Sequence, residues 1–179
     1  MREIALHILD IAQNSVVANA KNIKIEVIED VAADILSVEI SDNGCGMTAE
    51  FLANVTSPFT TKRTTRKVGL GIPLLKLAAE NTGGRFEILS EINVGTTTKA
   101  VFGYSHIDRQ PLGDMAETML GLITSYESVD FLYIHKANNK EFALDTAEIK
   151  SILGDVSFSN PEVYLWLKEY ISEGEKSLN

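Results

Sequence analysis

A short polar stretch early in the chain has the residue types that recognise a purine base. Asp42 follows residues 35–40, whose apolar and polar side chains alternate as in a half-buried strand, so its carboxylate is expected at a strand end. A carboxylate there can accept a hydrogen bond from an exocyclic amine. Gly44 and Gly46 carry no Cβ, which lets the backbone turn sharply and a flat base approach it closely. Asp-Asn-Gly is also an ordinary turn sequence, so this stretch alone leaves a plain turn open.

A second glycine pair precedes a helical pattern and could bind an anion. Gly69, Leu70 and Gly71 come directly before residues 72–77, an apolar run with Pro73 in its first turn, as is typical of a helix start. Free N–H groups and the positive end of the helix dipole would face the glycines, which favours a triphosphate there. Gly-x-Gly also occurs by chance, so the pair gains its meaning from the order and spacing of all the motifs together.

The first helical pattern supplies candidates for a metal ligand and a base. Over residues 3–18, apolar side chains recur at helical spacing, and Asp10 and Asn14, four residues apart, share one face. The amide oxygen of Asn14 could bind Mg²⁺, which takes few protein ligands when phosphates supply the others. Asp10, one turn earlier, could orient or deprotonate an attacking group. A solvated polar helix face explains the same pair without any ligand.

Together, these motifs resemble those of the GHKL superfamily of ATPases and kinases, which includes DNA gyrase, heat-shock chaperones, sensor histidine kinases and MutL. The resemblance covers residues 3–103. It includes four boxes in the family's order, at residues 10–14, 42–47, 67–71 and 95–97. Three segments are most similar to the histidine-kinase branch: residues 58–62, 69–76 and 83–88.

The resemblance implies roles for the matching residues. Asn14 would bind Mg²⁺, Asp42 would accept from the adenine amino group, and Thr97 would lie beside adenine through a water. The other nucleotide-binding residues would be Gly44, Gly46, Met47, Lys62, Gly69, Leu70 and Gly71. Residues 55–68 would form a lid over ATP. This segment holds four cations, which independently favour a mobile loop able to pair with phosphates, although a solvated basic loop is the alternative: Lys62, Arg63, Arg66 and Lys67.

Three departures from the family pattern bear on activity. Asp10 stands where the family's usual catalytic carboxylate is a longer glutamate, so hydrolysis is expected to be slow or absent. Val17 replaces a lysine that histidine kinases often carry. The chain begins within the first helix of the nucleotide domain, so any phosphoacceptor is expected on another protein. Two functions stay open: a Mg·ATP-dependent kinase or ATPase acting on a separate protein or on water, and an ATP-dependent regulatory binding module with little or no turnover.

Composition and charge limit the surroundings and the partners. The 179 residues include one cysteine, Cys45, and no apolar run near the roughly 20 residues that a membrane span needs, so a cytoplasmic protein without a membrane span is expected. The net charge is −9, and residues 105–179, with 6 Lys plus Arg against 13 Asp plus Glu, contribute −7 of it. This balance argues against nucleic acid as a partner. The acidic surface is either simply solvated or a docking face for a protein.

The elements that must hold these motifs predict an α+β fold. Strand patterns at residues 23–27, 35–40, 84–90 and 96–102, interspersed with helical patterns, predict a two-layer α/β sandwich. The resemblance implies the same sandwich, with a mixed, mainly antiparallel sheet and helices on one face. We expect an ATP-binding domain over residues 1–104 and an acidic α/β extension over residues 105–179, packed on the first domain or used for docking. Residues 172–179 are expected to be disordered.

Overall fold

The computed structural model describes residues 3–56 and 70–179, and these residues form six helices and six strands. The helices are α1 (Ile4–Val17), α2 (Ala49–Val55), α3 (Gly71–Glu80), α4 (Met115–Ser125), α5 (Thr146–Leu153) and α6 (Pro161–Ser177). The strands are β1 (Asn22–Asp30), β2 (Ile35–Asp42), β3 (Arg85–Glu91), β4 (Gly95–Gly103), β5 (Asp130–Ala137) and β6 (Lys140–Asp145). Within these two ranges, no helix is both long and apolar enough to cross a lipid bilayer.

The six strands lie in a single sheet, in the order β3-β4-β2-β1-β5-β6. The β1–β5 pair is parallel, and the other four neighbouring pairs are antiparallel. Alternate side chains of the central strands, such as Ile23, Ile25 and Val27 of β1, are buried in the core. The predicted fold class, an α+β sandwich with a mixed and mainly antiparallel sheet, is confirmed.

Two helices position the candidate site. α1 buries Ile4, Ile8 and Ala12, which are four residues apart and so lie on one face of the helix. Asp10 and Asn14 consequently lie on its half-buried flank. α3 packs against α1 as well as against β3 and β4. The start of α3 is therefore held beside the polar flank of α1.

The acidic C-terminal residues continue the same sheet. β5 pairs with β1 over eight residues, from Asn22 beside Asp130 to Glu29 beside Ala137, and β6 returns along β5 as a hairpin. α4 packs against both α1 and α6. Apolar side chains from residues 3–104 and from residues 105–179 form one buried cluster. The two parts of the chain therefore share a core in the described structure.

The last helix is longer than its sequence pattern predicts. Asn160 caps its first turn, where the side-chain oxygen accepts from the Glu162 N–H at 3.0 Å. Residues 172–179 were expected to be disordered, but the helix continues to Ser177 and Leu178 is buried. That expectation is wrong because the segment is polar in sequence, whereas Glu175 is held by side chains of a strand far away in the chain.

Hydrogen bonds and ion pairs between polar side chains hold the end of α6 against the sheet. His135 of β5 lies between two carboxylates, with its Nδ1 2.9 Å from Glu175 Oε2 and its Nε2 3.1 Å from Glu29 Oε1. Tyr133 donates to the other oxygen of Glu175 at 2.8 Å. Burial alone would lower the pKa of His135, but the hydrogen bonds and charges of Glu175 and Glu29 raise this pKa to about 9. At neutral pH the ring is therefore protonated and donates to both carboxylates.

Candidate functional site

The Asp42 carboxylate is fixed by one donor on each oxygen. Ser15 of α1 donates to Oδ2 at 2.6 Å, and the Gly44 N–H donates to Oδ1 at 2.8 Å. Asp42 ends β2 two residues after the buried Ile40, so it lies on the helix-facing side of the sheet. A carboxylate oxygen has two lone pairs, so each oxygen can still accept one more hydrogen bond. The group is therefore oriented in advance to accept from a ligand amine.

Residues 43–47, which we call the G1 loop, are tied to the elements on both sides of them. The Cys45 N–H donates to the Ala18 carbonyl at the end of α1, and the Cys45 carbonyl accepts from the Asn93 N–H, both at 2.9 Å. The Met47 N–H donates to Ser90 Oγ at 2.9 Å. Both Asn93 and Ser90 belong to the β3–β4 hairpin. The loop beside Asp42 is thus held by backbone bonds from α1 and from the hairpin.

The glycines of the G1 loop are needed by the protein's own packing. A Cβ on Gly44 would lie 2.9 Å from the Ala18 side chain and 3.0 Å from Asp42 Oδ1. Gly46 has φ +66°, and a Cβ there would overlap the Glu91 carbonyl. The sequence argument assigned these glycines to the approach of a base. Their close contacts show that they also allow α1 and the β3–β4 hairpin to approach the loop.

The β2–β4 register separates two threonines that the sequence places side by side. Thr97 pairs with Ser41, and their hydroxyl oxygens are 3.1 Å apart on the face of the sheet opposite Asp42. Thr96 pairs with Asp42 itself, and its hydroxyl is 2.8 Å from Ser90 Oγ. The structure therefore does not bring Thr97 to the Asp42 side. Thr96, not Thr97, lies on the same face of the sheet as Asp42.

Asp10 meets the start of α3 on the polar flank of α1 that also carries Asn14. Gly71 lies so close to Asp10 that a Cβ would overlap the carboxylate oxygen Oδ2. The first turn of a helix has N–H groups without intrahelical partners, and the helix dipole favours negative charge there. Leu70, the residue before this turn, is more than half exposed. Asp10 and the start of α3 thus lie side by side, a carboxylate next to the first turn of a helix.

Asn14 fits the role of a ligand-binding amide. Its Nδ2 atom is buried, yet it has no hydrogen-bond partner among the residues that the structure describes. A buried amide of this kind is costly unless something else bonds to it. Its oxygen has the chemistry that Mg²⁺ prefers. The donor set at this place is therefore compatible with a hydrated Mg²⁺ ion bound mainly by phosphates.

Some predicted residues lie outside the described part of the chain. Lys62 and Gly69, together with Arg63, Arg66 and Lys67, belong to residues 57–69. Their roles stay predictions. In contrast, Ser15, Ser90 and Thr96 were not predicted. Ser15 had a signal in the sequence, because it is a polar residue four positions after Ile11 on the apolar face of α1.

Comparisons with known proteins identify the family. The sequence pattern described as histidine kinase-, DNA gyrase B-, and HSP90-like ATPase matches residues 1–105. The chain therefore belongs to this ATPase family.

Individual relatives match only part of their own length. The sensor histidine kinase YvrG of Bacillus subtilis is 29% identical over 93 residues, which are 50% of this chain and 16% of that protein. The sensor kinase CckA of Brucella abortus is 37% identical over 68 residues, or 37% of this chain and 7% of that protein. Among solved structures, the MutL ATPase domain of Aquifex aeolicus complexed with ADP has a TM-score of 0.59 at 12% identity, covering 94% of this chain and 69% of that domain. The last similarity concerns the fold.

Proposed function

We propose that the chain binds ATP with the adenine at Asp42 and the phosphates at the start of α3, and that it transfers the γ-phosphoryl group to a separate protein or to water. The observation that carries the proposal is the Asp42 carboxylate, held from two sides by Ser15 and by the Gly44 N–H. Membership of an ATPase family supports ATP as the nucleotide.

The adenine end would select ATP over GTP. The Asp42 carboxylate accepts a hydrogen bond from the exocyclic amine of adenine, whereas guanine presents a carbonyl oxygen at that position, which an ionised carboxylate repels. Thr96, on the same face as Asp42, supplies a hydroxyl that can donate or accept beside the base. We therefore assign Thr96 rather than Thr97 to the second contact with adenine.

The phosphate end would use Asn14, Gly71 and the residues before α3. Asn14 would hold Mg²⁺ through its amide oxygen, and the ion, when bound, supplies neutralisation of the phosphate charge. Free N–H groups in the first turn of α3 would bind phosphate oxygens. Gly69 and Lys62, as predicted from the sequence, would complete the phosphate contacts.

Asp10 would orient the acceptor. In the transfer, the acceptor atom bonds to the γ-phosphorus while the bond from that phosphorus to the β–γ bridging oxygen breaks, so ADP leaves with the electron pair. Asp10 would accept the proton of the attacking group. Its contact with Gly71 puts this carboxylate at the start of α3, where the γ-phosphate is expected. Because Asp10 is shorter than glutamate, we expect slow turnover without a partner.

Phosphate release from γ-labelled ATP with Mg²⁺ tests this function. We expect slow release, or label retained on an added acceptor protein, that is lost in both Asp42→Asn and Asp10→Asn. Asp10→Asn should still bind ATP, since this residue faces the phosphate end. Release that is unchanged in Asp10→Asn would show that Asp10 is not the base.

A regulatory binding module is the second candidate. In this case ATP changes the shape of the protein and thereby its affinity for a partner, with little or no turnover. Two observations favour it: Asp10 in place of the family's glutamate, and Val17, which is largely exposed where histidine kinases often carry a phosphate-binding lysine. ATP binding without any release or labelling, in wild type and with candidate acceptors present, would support this second function over the first.

A further inference from the structure

The strand β6 leaves one side of its backbone open at the edge of the sheet. Asn138 and Asn139 both have positive φ, as in a two-residue hairpin turn, so Ala137 and Lys140 form the hydrogen-bonded pair next to the turn. By alternation, the backbone groups of Phe142 and Leu144 bond to β5. Those of Glu141 and Ala143 point away from the sheet.

No other described strand pairs with this side. β6 is the last strand in the sheet order, and α6 packs on its helix-facing side. The other edge strand, β3, differs because α2 packs against it. The N–H and C=O groups of Glu141 and Ala143 therefore form a short template for another strand.

Aromatic side chains border the open edge on its helix-facing side. Phe142 of β6 contacts Tyr170 of α6, with ring centroids 5.7 Å apart, and Tyr170 stacks on Trp166 at 5.4 Å with the rings 15° apart. Trp166 is 46% exposed and Tyr170 is 41% exposed. Stacked aromatic rings next to a free strand edge provide apolar contact area for alternate side chains of an added strand.

The opposite face of β6 carries two carboxylates, and the net charge of residues 105–179 is −7, which favours a basic occupant. Glu141, Ala143 and Asp145 alternate with the buried residues and so lie on the other face of the sheet. The Glu141 side chain is 54% exposed and pairs with Lys136 of β5 at 3.4 Å, and the Asp145 side chain accepts from the Ala147 N–H at 2.8 Å. Pairing of β6 with β6 of a second copy, centred on Ala143, would put Glu141 opposite Asp145, and pairing centred on Glu141 would put two glutamates together, which is unfavourable. Basic side chains at these positions would instead be attracted.

We propose that β6 is a docking site for an extended, basic segment of a partner protein. The segment adds to the sheet as a seventh strand and forms hydrogen bonds with the backbone of Glu141 and Ala143. Its side chains point alternately to the two faces of the sheet. Its apolar residues contact Trp166 and Tyr170, and its basic residues face Glu141 and Asp145. This docking site is distinct from the nucleotide site, so it holds whether or not the chain hydrolyses ATP.

A labelled heptapeptide of alternating lysine and valine is the probe, and its fluorescence anisotropy is measured with the full chain. Two further peptides carry N-methyl groups, one on the lysine amides and the other on the valine amides. Because these amides point to opposite edges of an extended strand, we expect one methylated peptide to bind at least about tenfold more weakly and the other to keep its affinity. Absence of binding by the parent peptide, or equal affinities of the two methylated peptides, would overturn strand addition.

Substitutions in β6 and α6 test where on the protein the peptide binds. Ala143→Pro removes an outward N–H without removing a bond to β5, and Trp166→Ala removes the outer aromatic ring. Each should weaken peptide binding by about tenfold or more. Leu165→Ala is the matched control, because Leu165 is an exposed apolar residue of the same helix on a different face. Thermal unfolding checks that the variants are folded. Full affinity in a folded Trp166→Ala protein, or equal loss in Leu165→Ala, would overturn the location.

Discussion

At the scale of single residues, the proposed nucleotide site would depend on the groups that hold Asp42 as well as on Asp42 itself. Ser15 and the Gly44 N–H each bond one of its oxygens, which restricts the carboxylate to one orientation before any ligand binds. Preorganised groups bind more tightly because less freedom is lost on binding. A short hydroxyl bond to a charged carboxylate is among the stronger hydrogen bonds in proteins.

Replacement of Ser15 should weaken nucleotide binding without unfolding the chain. Ser15→Ala removes the donor to Asp42 Oδ2, and we expect ATP affinity to fall about tenfold, since a hydrogen bond to a charged group contributes about 1.5–3 kcal/mol. Ser41→Ala is the matched control, because its hydroxyl contacts Thr97 on the opposite face. Isothermal titration calorimetry measures both. Equal affinities of the two variants would mean that Ser15 does not position the carboxylate.

Alanine substitutions of two glycines should change the stability of the protein in opposite directions. Gly71→Ala puts a methyl group against the Asp10 carboxylate, so we expect α1 and α3 to move apart and the unfolding free energy to fall by about 1–3 kcal/mol. Gly121→Ala in α4 meets nothing within 4 Å and should stabilise by up to about 1 kcal/mol through helix propensity. Urea denaturation measures the two changes. A Gly71→Ala protein as stable as wild type would show that the close contact with Asp10 is relieved at no cost.

Single-residue patterns also explain which site residues the sequence could predict. Asp42, Gly44 and Gly46 lie in one stretch of sequence. The strand and the turn that the pattern predicts are therefore enough to bring the two glycines next to Asp42. The choice between Thr96 and Thr97 depends on the β2–β4 register, in which a shift of one residue exchanges the two faces. Ser15 reaches Asp42 across 27 residues, a contact that follows from the docking of α1. Such long-range contacts are not readable from local patterns.

At the scale of elements, α6 is fixed by an apolar stripe and, near its end, also by polar contacts. Leu167 and Ile171 are buried, Val163 packs against the core, and Leu178 after the helix is buried as well. The polar contacts run from Glu175 through His135 to Glu29. Local signals could predict where α6 begins, because Asn160 and Pro161 form a cap at the start of a helix. Its end depends on side chains of β1 and β5, so the sequence pattern stops too early.

This cluster predicts a pH dependence of stability. The pKa of His135 is raised from 6.5 to about 9, so its contribution is complete below about pH 6.5 and is lost as the pH rises through about 9. The hydrogen bond from His135 lowers the pKa of Glu29, so that contribution is lost when the pH falls below about 4.5. The contribution of this cluster to the unfolding free energy should therefore be greatest near pH 5–6 and fall by roughly 2–3 kcal/mol toward pH 10.

A variant isolates the contribution of the cluster. Glu175→Gln removes one carboxylate beside His135, so the fall in stability at high pH should become smaller and shift to lower pH. Glu173→Gln, an exposed residue of the same helix, is the control. Urea denaturation of both variants at a series of pH values measures the effect. Identical pH profiles for Glu175→Gln and wild type would show that His135 is not held protonated by this contact.

At the scale of the whole molecule, the boundary near residue 104 does not separate two cores. β5 pairs in parallel with β1, and α4 packs on α1, so residues 105–179 cover apolar surface of residues 3–104. Strand patterns predicted the type of fold, but not that a distant strand joins the sheet beside β1. Strands that lie far apart in the chain and pair in parallel are not joined by a short turn, so no local sequence signal predicts their pairing.

The shared core predicts a single cooperative unfolding transition. Trp166, the one tryptophan of the chain, reports on α6, whereas far-UV circular dichroism reports on all helices and strands. We expect the two probes to give the same urea midpoint and the same slope, as in a two-state transition. A fragment of residues 1–104 should not fold stably, because it exposes the paired side of β1. Separate midpoints for the two probes would indicate two independent domains.

Equilibrium binding of ATP in the presence of Mg²⁺ tests the central claim most directly. Wild type should bind ATP saturably and much more tightly than GTP, and Asp42→Asn should lose about a hundredfold in affinity, because a charge-assisted hydrogen bond to the base contributes up to about 3 kcal/mol. Circular dichroism should show that Asp42→Asn remains folded. If wild type binds no ATP, or if Asp42→Asn binds it as tightly as wild type does, the assignment of Asp42 as the adenine-recognising residue is wrong.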